Sequence, residues 1–297
     1  MNERDATAAR FEEHRGRLRA VAYRMLGSMA DADDAVQEAW VRLDRFAPTA
    51  VDNVAGWLTT VVARVCLDML RSRKAHGEQS LRQRFPDPVV SFGDTVDPEH
   101  EALIGDAVGM ALMVVLETLS PAERVAFVLH DVFAVPYGSI APIVARSESA
   151  TRKLASRARA KVRRDGVRPN VDLTTQRTAV DAFLRAARRG DFTALVETLS
   201  ADVVVRADTG VADLPRLLRG REQVARQAEA FGQAVDDVRI GIVNGAAGLV
   251  AYAADGDPFS VLAITVRDQL IVEIDILADR ERLHSVLANS HIDDASP

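Results

Sequence analysis

The chain has 297 residues and a formal charge of −6, too long for one small helical module, so two or three domains are expected. Apolar residues make up 48% and aromatic ones 5%, so its cores rest on Leu, Val, Ala and Ile. The single cysteine, Cys66, excludes an internal disulfide and a multi-cysteine zinc site, and suits a reducing compartment. The opening stretch MNERDATAARFEEHRGR has no apolar run of the signal-peptide kind. No run of about 18 apolar residues is present to span a membrane, so no membrane partner is expected.

Residues 8–75 read as helical. Phe11, Leu18, Val21, Ala22, Met25 and Leu26 recur at helical spacing. Gly27 and Ser28 interrupt, and an acidic helix runs from Asp31 through Leu43. Pro48 to Asn53 is a loop, and a third helix is predicted from about Val54 to Arg73. Residues 76–101 carry Gly77, Pro86, Pro88, Gly93 and Pro98 with no periodic apolar face, which marks a linker. Helical texture returns over 102–165, and 165–173 is a second, short linker.

The segment after Leu119 has helix-turn-helix punctuation. Ser120, Pro121 and Glu123 form a helix start with a capping serine, proline at the first position and glutamate three residues after the cap. Val135-Pro136-Tyr137-Gly138 breaks that helix. Ser139 is the expected cap of a short helix, Ile140–Ala145, and Ser147-Glu148-Ser149 the turn. A long helix then runs from Ala150 to about Arg164, with Leu154, Ala158 and Val162 facing inward. From Arg146 to Arg168 nine basic residues face only Glu148 and Asp165, a local basic stripe on an acidic chain. Such a helix reads bases near its N-terminus and phosphates further along. The candidate DNA contacts are Ser149, Thr151, Arg152, Lys153, Ser156 and Arg157.

The segments DADDAVQEAWVRL and NVAGWLTTVVARVCLDMLRSRKA resemble the promoter-melting domain of extracytoplasmic-function sigma factors. LSPAERVAFVLHDVFAVPYGSIAPIVARSESATRKLASRARAKVR resembles their second conserved domain, which reads the −35 element. The two likenesses cover roughly the first 165 residues, in order. The resemblance implies a factor that performs no covalent chemistry, works in the cytoplasm without a cofactor or metal, and has core RNA polymerase and promoter DNA as partners. It also assigns a polymerase-docking face to Asp34, Gln37, Glu38, Trp40 and Val41, and −10 contacts to Asp52, Asn53, Arg64, Arg71 and Lys74. Trp57 reads as core rather than as a base-stacking group.

After residue 174 helical segments give way to strand-like runs at Val203–Arg206, Val238–Val243, Gly248–Ala253, Ser260–Val266 and Gln269–Ile276. A closing helix follows at Asp279–Leu287. Residues 174–288 resemble SnoaL-like domains of the nuclear-transport-factor-2 superfamily, cones of curved sheet with helices over them. The expected fold is therefore multidomain: two all-α domains, at 8–75 and 102–165, and an α+β cone at 174–288. A group of these sigma factors carries such a domain together with short signatures. Arg84-Phe85-Pro86-Asp87-Pro88-Val89 resembles its linker signature, and Asp208 with Gly210 part of a second. Ala278–Leu283 falls where a third is expected. Phe85, Pro86, Asp87, Pro88 and Asp208 are thus candidate regulatory contacts for control in cis. Asp208 is the best candidate base for an enzymatic cone, but no acid pairs with it, and a turn or capping role is the stronger reading. A small ligand in the cone is the alternative partner.

Overall fold

In a computed structural model of the chain, residues 3–46, 53–75, 85–92, 109–165, 171–210 and 217–288 are described. The chain divides into two compact units. The first comprises Met1–Pro86, Asp97–Asp106 and Met113–Asp165, and the second comprises Asp87–Val96, Ala107–Leu112 and Gly166–Pro297.

The first unit is helical. Helices α1 (Glu3–Leu26), α2 (Met29–Phe46) and α3 (Val54–Ala75) pack on one another. Gly27, with φ at +73°, ends α1 in the left-handed conformation that glycine adopts without steric cost. Asn53 caps α3, its Oδ1 accepting from the Gly56 amide at 2.8 Å. Val21, Met25, Ala35, Ala39, Leu58, Val62 and Cys66 form part of the apolar interior. Burial pushes the Cys66 thiol up to about 12, against the opposing pull of Arg124, so it is chemically quiet.

Helix α4 (Met110–Glu117) is followed by α5 (Pro121–Phe127), whose start is the expected one. The Glu123 carboxylate accepts from the Ser120 amide at 3.3 Å and from its hydroxyl at 2.7 Å. α5 runs on into a π-helical turn, Val128–Val132, and the chain then turns at Ala134, φ 54°. Helices α6 (Tyr137–Val144) and α7 (Glu148–Asp165) complete the helix-turn-helix. Two boundaries differ from expectation. α6 starts at Tyr137, three residues before the expected Ile140, because the amides of Ser139 and Ile140 both donate to the Pro136 carbonyl. Pro142 therefore lies inside the helix rather than in its first turn. The tight turn sits at Ala145, φ 54°, and Ser147 caps α7 through the Ala150 amide.

Two arginines are sealed among the described residues of this unit, Arg24 and Arg124. Arg124 is 2% exposed and donates to Glu117 at 2.7 Å. A Cβ on Gly27 would stand 2.5 Å from the same Glu117 carboxylate, so glycine is what lets the end of α1 approach α4. Removing one partner of a buried pair strands the other charge, whereas replacing both partners by apolar groups of similar volume is tolerated. Glu117→Leu is therefore expected to cost about 3–5 kcal/mol. Arg124→Met combined with Glu117→Leu should recover most of that loss. Urea unfolding followed by amide exchange in α1 and α5 checks both, and equal losses for the single and double variants would refute the account.

The second unit is α+β, as expected. Helices α8 (Leu173–Arg189), α9 (Phe192–Thr198) and α10 (Arg221–Ala234) lie over one face of a seven-stranded sheet. Asp172 caps α8 and Asp191 caps α9. The strands are β1 (Val90–Ser91), β2 (Leu199–Asp208), β3 (Leu217–Arg219), β4 (Asp237–Val243), β5 (Ala246–Tyr252), β6 (Pro258–Arg267) and β7 (Leu270–Leu277). Their order is β1-β4-β5-β6-β7-β2-β3, with only the β2–β7 pair parallel. Helix α11 (Arg280–Ala288) follows β7. The sequence anticipates five of these strands and α11. It gives no sign of β3, or of β1, which lies inside the expected linker.

Helices and sheet enclose an apolar cluster that includes Val180, Phe183, Leu195, Leu249, Leu262, Ile264 and Ile274. Helices α8 and α10 come close enough that a Cβ on Gly232 would stand 2.5 Å from the Ala187 carbonyl oxygen. The opposite face carries a charged trio, because alternation along a strand puts Asp275 across the sheet from Ile274. Arg206, paired with Asp275 in register, donates to both Glu273 and Asp275, which are 3% and 1% exposed. Burial, with Glu273 adding to it, pushes the Asp275 carboxyl up to about 8 against the pull of Arg206.

The folded chain thus holds a proton on this pair that the unfolded chain releases. Its contribution to stability is complete below the ordinary carboxylate range and is lost as pH rises toward about 8. The thermal midpoint of the second unit is expected to fall between pH 5 and pH 8, and to fall less in Asp275→Asn. Parallel curves for the two proteins would remove Asp275 as the cause.

Candidate nucleic-acid interface

The recognition helix of the helix-turn-helix is α7, and its buried stripe is Thr151, Ala155, Ala158 and Val162. Leu154, expected in that stripe, is only half-buried. Ser149, Arg152, Lys153, Ser156 and Arg157 are exposed together on the outer side, as expected of base and phosphate contacts. Thr151 is a correction. It is fully buried, and its hydroxyl donates to the Ser147 carbonyl at 2.9 Å, so it packs the helix and faces no groove. Its position three and four residues before Leu154 and Ala155 carries that signal, while its hydroxyl has the chemistry of a base contact.

Several arginines along α7 have partners within the unit. Arg152 pairs with Glu148 one turn earlier, Arg157 with Glu123 at 3.1 Å and Arg159 with Asp131 at 2.7 Å. Lys161 donates to the Thr118 carbonyl at 2.7 Å.

On α2 the proposed docking residues Asp34, Gln37 and Glu38 are exposed, and Trp40 and Val41 are half-buried. Trp40 packs against Phe11 with ring centroids 5.1 Å apart. The acidic start of α2 divides its labour. Asp31 pairs with Arg73 of α3, and Asp33 receives two hydrogen bonds from Arg19 of α1, at 2.6 and 3.0 Å. These two carboxylates tie the helices together, while Asp34 stays on the outer surface. On α3, Arg64, Arg71 and Lys74 are exposed, Arg71 lying 3.8 Å from Asp68. Asn53 is exposed but occupied as the cap of α3, and Asp52 lies outside the described residues. Trp57 is half-buried.

Of the regulatory candidates, Asp87, Pro88 and Asp208 belong to the second unit, and Phe85 and Pro86 to the first. Phe85, Pro86, Asp87 and Pro88 are all buried, and Arg84 lies outside the described residues. Asp87 accepts from Arg282 Nε at 3.0 Å, and Asp208 accepts from the same guanidinium, from Nη1 at 2.7 Å. Asp208 also turns its own backbone, accepting from the Gly210 amide at 3.1 Å, the turn role expected of it. Just beyond Asp87, the Val89 amide donates to Asn244 Oδ1 and the Asn244 amide to the Val89 carbonyl, at 2.9 and 2.8 Å. Val90 and Ser91 then pair with Val243 and Ile242. Arg282 was missed as a site residue. Its segment was singled out only for its position, and nothing local marks one arginine among many as the partner of two distant aspartates. No group of three or more His, Cys, Asp or Glu among the described residues is arranged to hold a metal ion.

A helical unit with a basic recognition helix, an acidic helix upstream and a cationic helix between them defines a bipartite promoter-binding protein, and its parts match known families. Residues 10–76 match Sigma-70 region 2, and residues 109–162 match Sigma-70, region 4. The chain belongs to the extracytoplasmic-function group of the sigma-70 family, whose members direct core RNA polymerase to promoters and start transcription. It is 38% identical over 272 residues to the ECF RNA polymerase sigma factor SigJ of Mycobacterium tuberculosis, covering 87% of each chain. It is 36% identical over 214 residues to the probable ECF RNA polymerase sigma factor SigI of that species, covering 70% of this chain and 72% of the other. The crystal structure of M. tuberculosis SigJ matches with a TM-score of 0.74 at 34% identity, over 94% of this chain and 98% of that one.

Proposed function

We propose that this sigma factor is controlled in cis by residues 174–288, and that the point of control is the segment joining its two promoter-binding regions. The observation that carries this reading is Arg282. Its guanidinium joins Asp87, in the segment between the two regions, to Asp208 at the end of β2. The segment adds itself to the sheet as β1, with backbone hydrogen bonds supplying the grip and buried side chains the fit. A hold on the segment limits how far apart regions 2 and 4 reach, and sigma function needs both on one promoter.

The residue roles follow from exposure and charge. Asp34, Gln37, Glu38, Trp40 and Val41 form the face for core polymerase. Arg64, Arg71 and Lys74 track the melted strand near the −10 element by contacts to phosphates. Ser149, Arg152, Lys153, Ser156 and Arg157 meet the −35 element. The C-terminal domain acts without turnover: its helix-facing interior is apolar, and Asp208, its best candidate base, is engaged by Arg282 and a turn amide. The working place of the protein is the cytoplasm, beside its polymerase.

Charge reversal at two exposed residues tests the docking face. Asp34→Lys with Glu38→Lys is expected to abolish pull-down of core polymerase and run-off transcription while leaving the thermal midpoint within about 1 °C, since exposed sites contribute little to stability. Normal core binding by the double variant would show the face to be misplaced.

Arg282 tests the regulation separately. Arg282→Ala strands Asp87 and Asp208 near one another and should loosen the segment, read as faster amide exchange at Val89–Ser91. Run-off transcription with purified core should then change severalfold, in the same direction as deletion of residues 168–297. Faster exchange with unchanged transcription would leave the contact purely structural.

A further inference from the structure

The recognition helix rests on an aromatic and charged support that sequence reading did not anticipate. The π-helical turn Val128–Val132 is wider than an α-helical one, and with the left-handed Ala134 it delivers His130 and Asp131 to the start of α6. His130 stacks on Tyr137, with ring centroids 3.8 Å apart and planes 27° from parallel. The His130 Nδ1 lies 3.0 Å from the Val135 carbonyl oxygen, which fixes the imidazole. The Tyr137 hydroxyl accepts a hydrogen bond from Arg159, and Asp131 adds a charge contact to that arginine. The tyrosine is therefore held at its ring and at its hydroxyl.

Arg152 lies over this ring, its guanidinium carbon 5.3 Å from the centroid. Glu148 engages one of its terminal nitrogens, Nη2. The Arg152 side chain is 62% exposed and yet contacted from two directions. An exposed arginine on a recognition helix ordinarily samples many rotamers, and docking must freeze them. A planar cation prefers an aromatic face, and a guanidinium engaged by one carboxylate retains free N–H donors.

We propose that Tyr137 is a positioning residue for Arg152, presenting its guanidinium to the O6 and N7 edge of a single guanine in the −35 element. Guanine is the base whose paired acceptors in the major groove match the arginine fork. Arg152 stands in the second turn of α7, within the N-terminal part that reaches base edges in this motif. The inference rests on α7 being the reading helix, as proposed above.

The test uses the full-length chain bound to core polymerase, selecting from duplex DNA randomised across the −35 region. Wild type is expected to enrich guanine at one position, and Arg152→Ala to erase that preference. Tyr137→Leu should cut the preference roughly tenfold, a typical share of one bidentate contact. Tyr137→Phe, which keeps the ring and loses only the Arg159 bond, should retain it. A preference that survives in Tyr137→Leu while Arg152→Ala removes it overturns the role of Tyr137 alone. So does a loss in Tyr137→Leu spread evenly over every position, the mark of a damaged fold. If Arg152→Ala removes no guanine preference, the assignment of Arg152 as reader falls, and this inference with it.

Discussion

The Arg282 guanidinium joins residues 195 and 74 positions away in sequence, Asp87 and Asp208, and the organisation of the second unit turns on that contact. Two carboxylates facing one cation leave a net negative cluster, which is stable here because the guanidinium offers a separate edge to each. Without the cation, two largely buried carboxylates would repel at the point where the segment enters the sheet. Asn244 clamps Val89 through side chain and backbone, and β1 extends the sheet by a two-residue pairing. A strand this short holds weakly by itself, so the ion contact supplies much of the grip.

A covalent consequence follows. The gripped residues lie between region 2, which ends near residue 76, and region 4, which begins near residue 109. A domain at the far end of the chain therefore has access to both promoter-binding regions through one short peptide. Regulation by this route requires no ligand and no second protein. It requires only that core polymerase, on binding, demand a segment geometry that the strand β1 cannot satisfy, so that the two binding energies compete.

Much of this was legible in the sequence, for physical reasons that differ from element to element. The capping box at Ser120 and Glu123 is local chemistry, and the structure forms it. Five strands were legible because Val and Ile alternate between defined turns. The start of α6 was misplaced because Ser139 has the chemistry of a cap, while Pro136 reaches the same geometry through its fixed φ of −62°. Thr151 was misplaced because hydroxyl chemistry and helical phase pointed to different faces, and packing decided. β1 and Arg282 were not legible at all. Strand pairing of two residues leaves no periodicity, and an ion contact across 195 positions leaves no spacing. What could be seen was the resemblance of the segment around Asp87 to a known signature, which gave the place without the partner.

The charge arrangement also explains how an acidic protein carries a DNA-reading helix. α7 is strongly basic, but Arg152, Arg157 and Arg159 each have a carboxylate partner in the same unit: Glu148, Glu123 and Asp131. The Arg152–Glu148 pair is exposed on both sides and weak, and Arg157 is exposed, so on the proposed reading phosphates and base edges can compete for these two arginines while Arg159 stays with Asp131 and Tyr137. These three carboxylates offset part of the positive charge of the helix, and with it part of the non-specific attraction to any duplex. On the proposed reading, a base edge must compete with these carboxylates for the arginines, and it does so by matched geometry rather than by greater strength, so the internal pairs set a threshold that a poorly matched duplex meets less well.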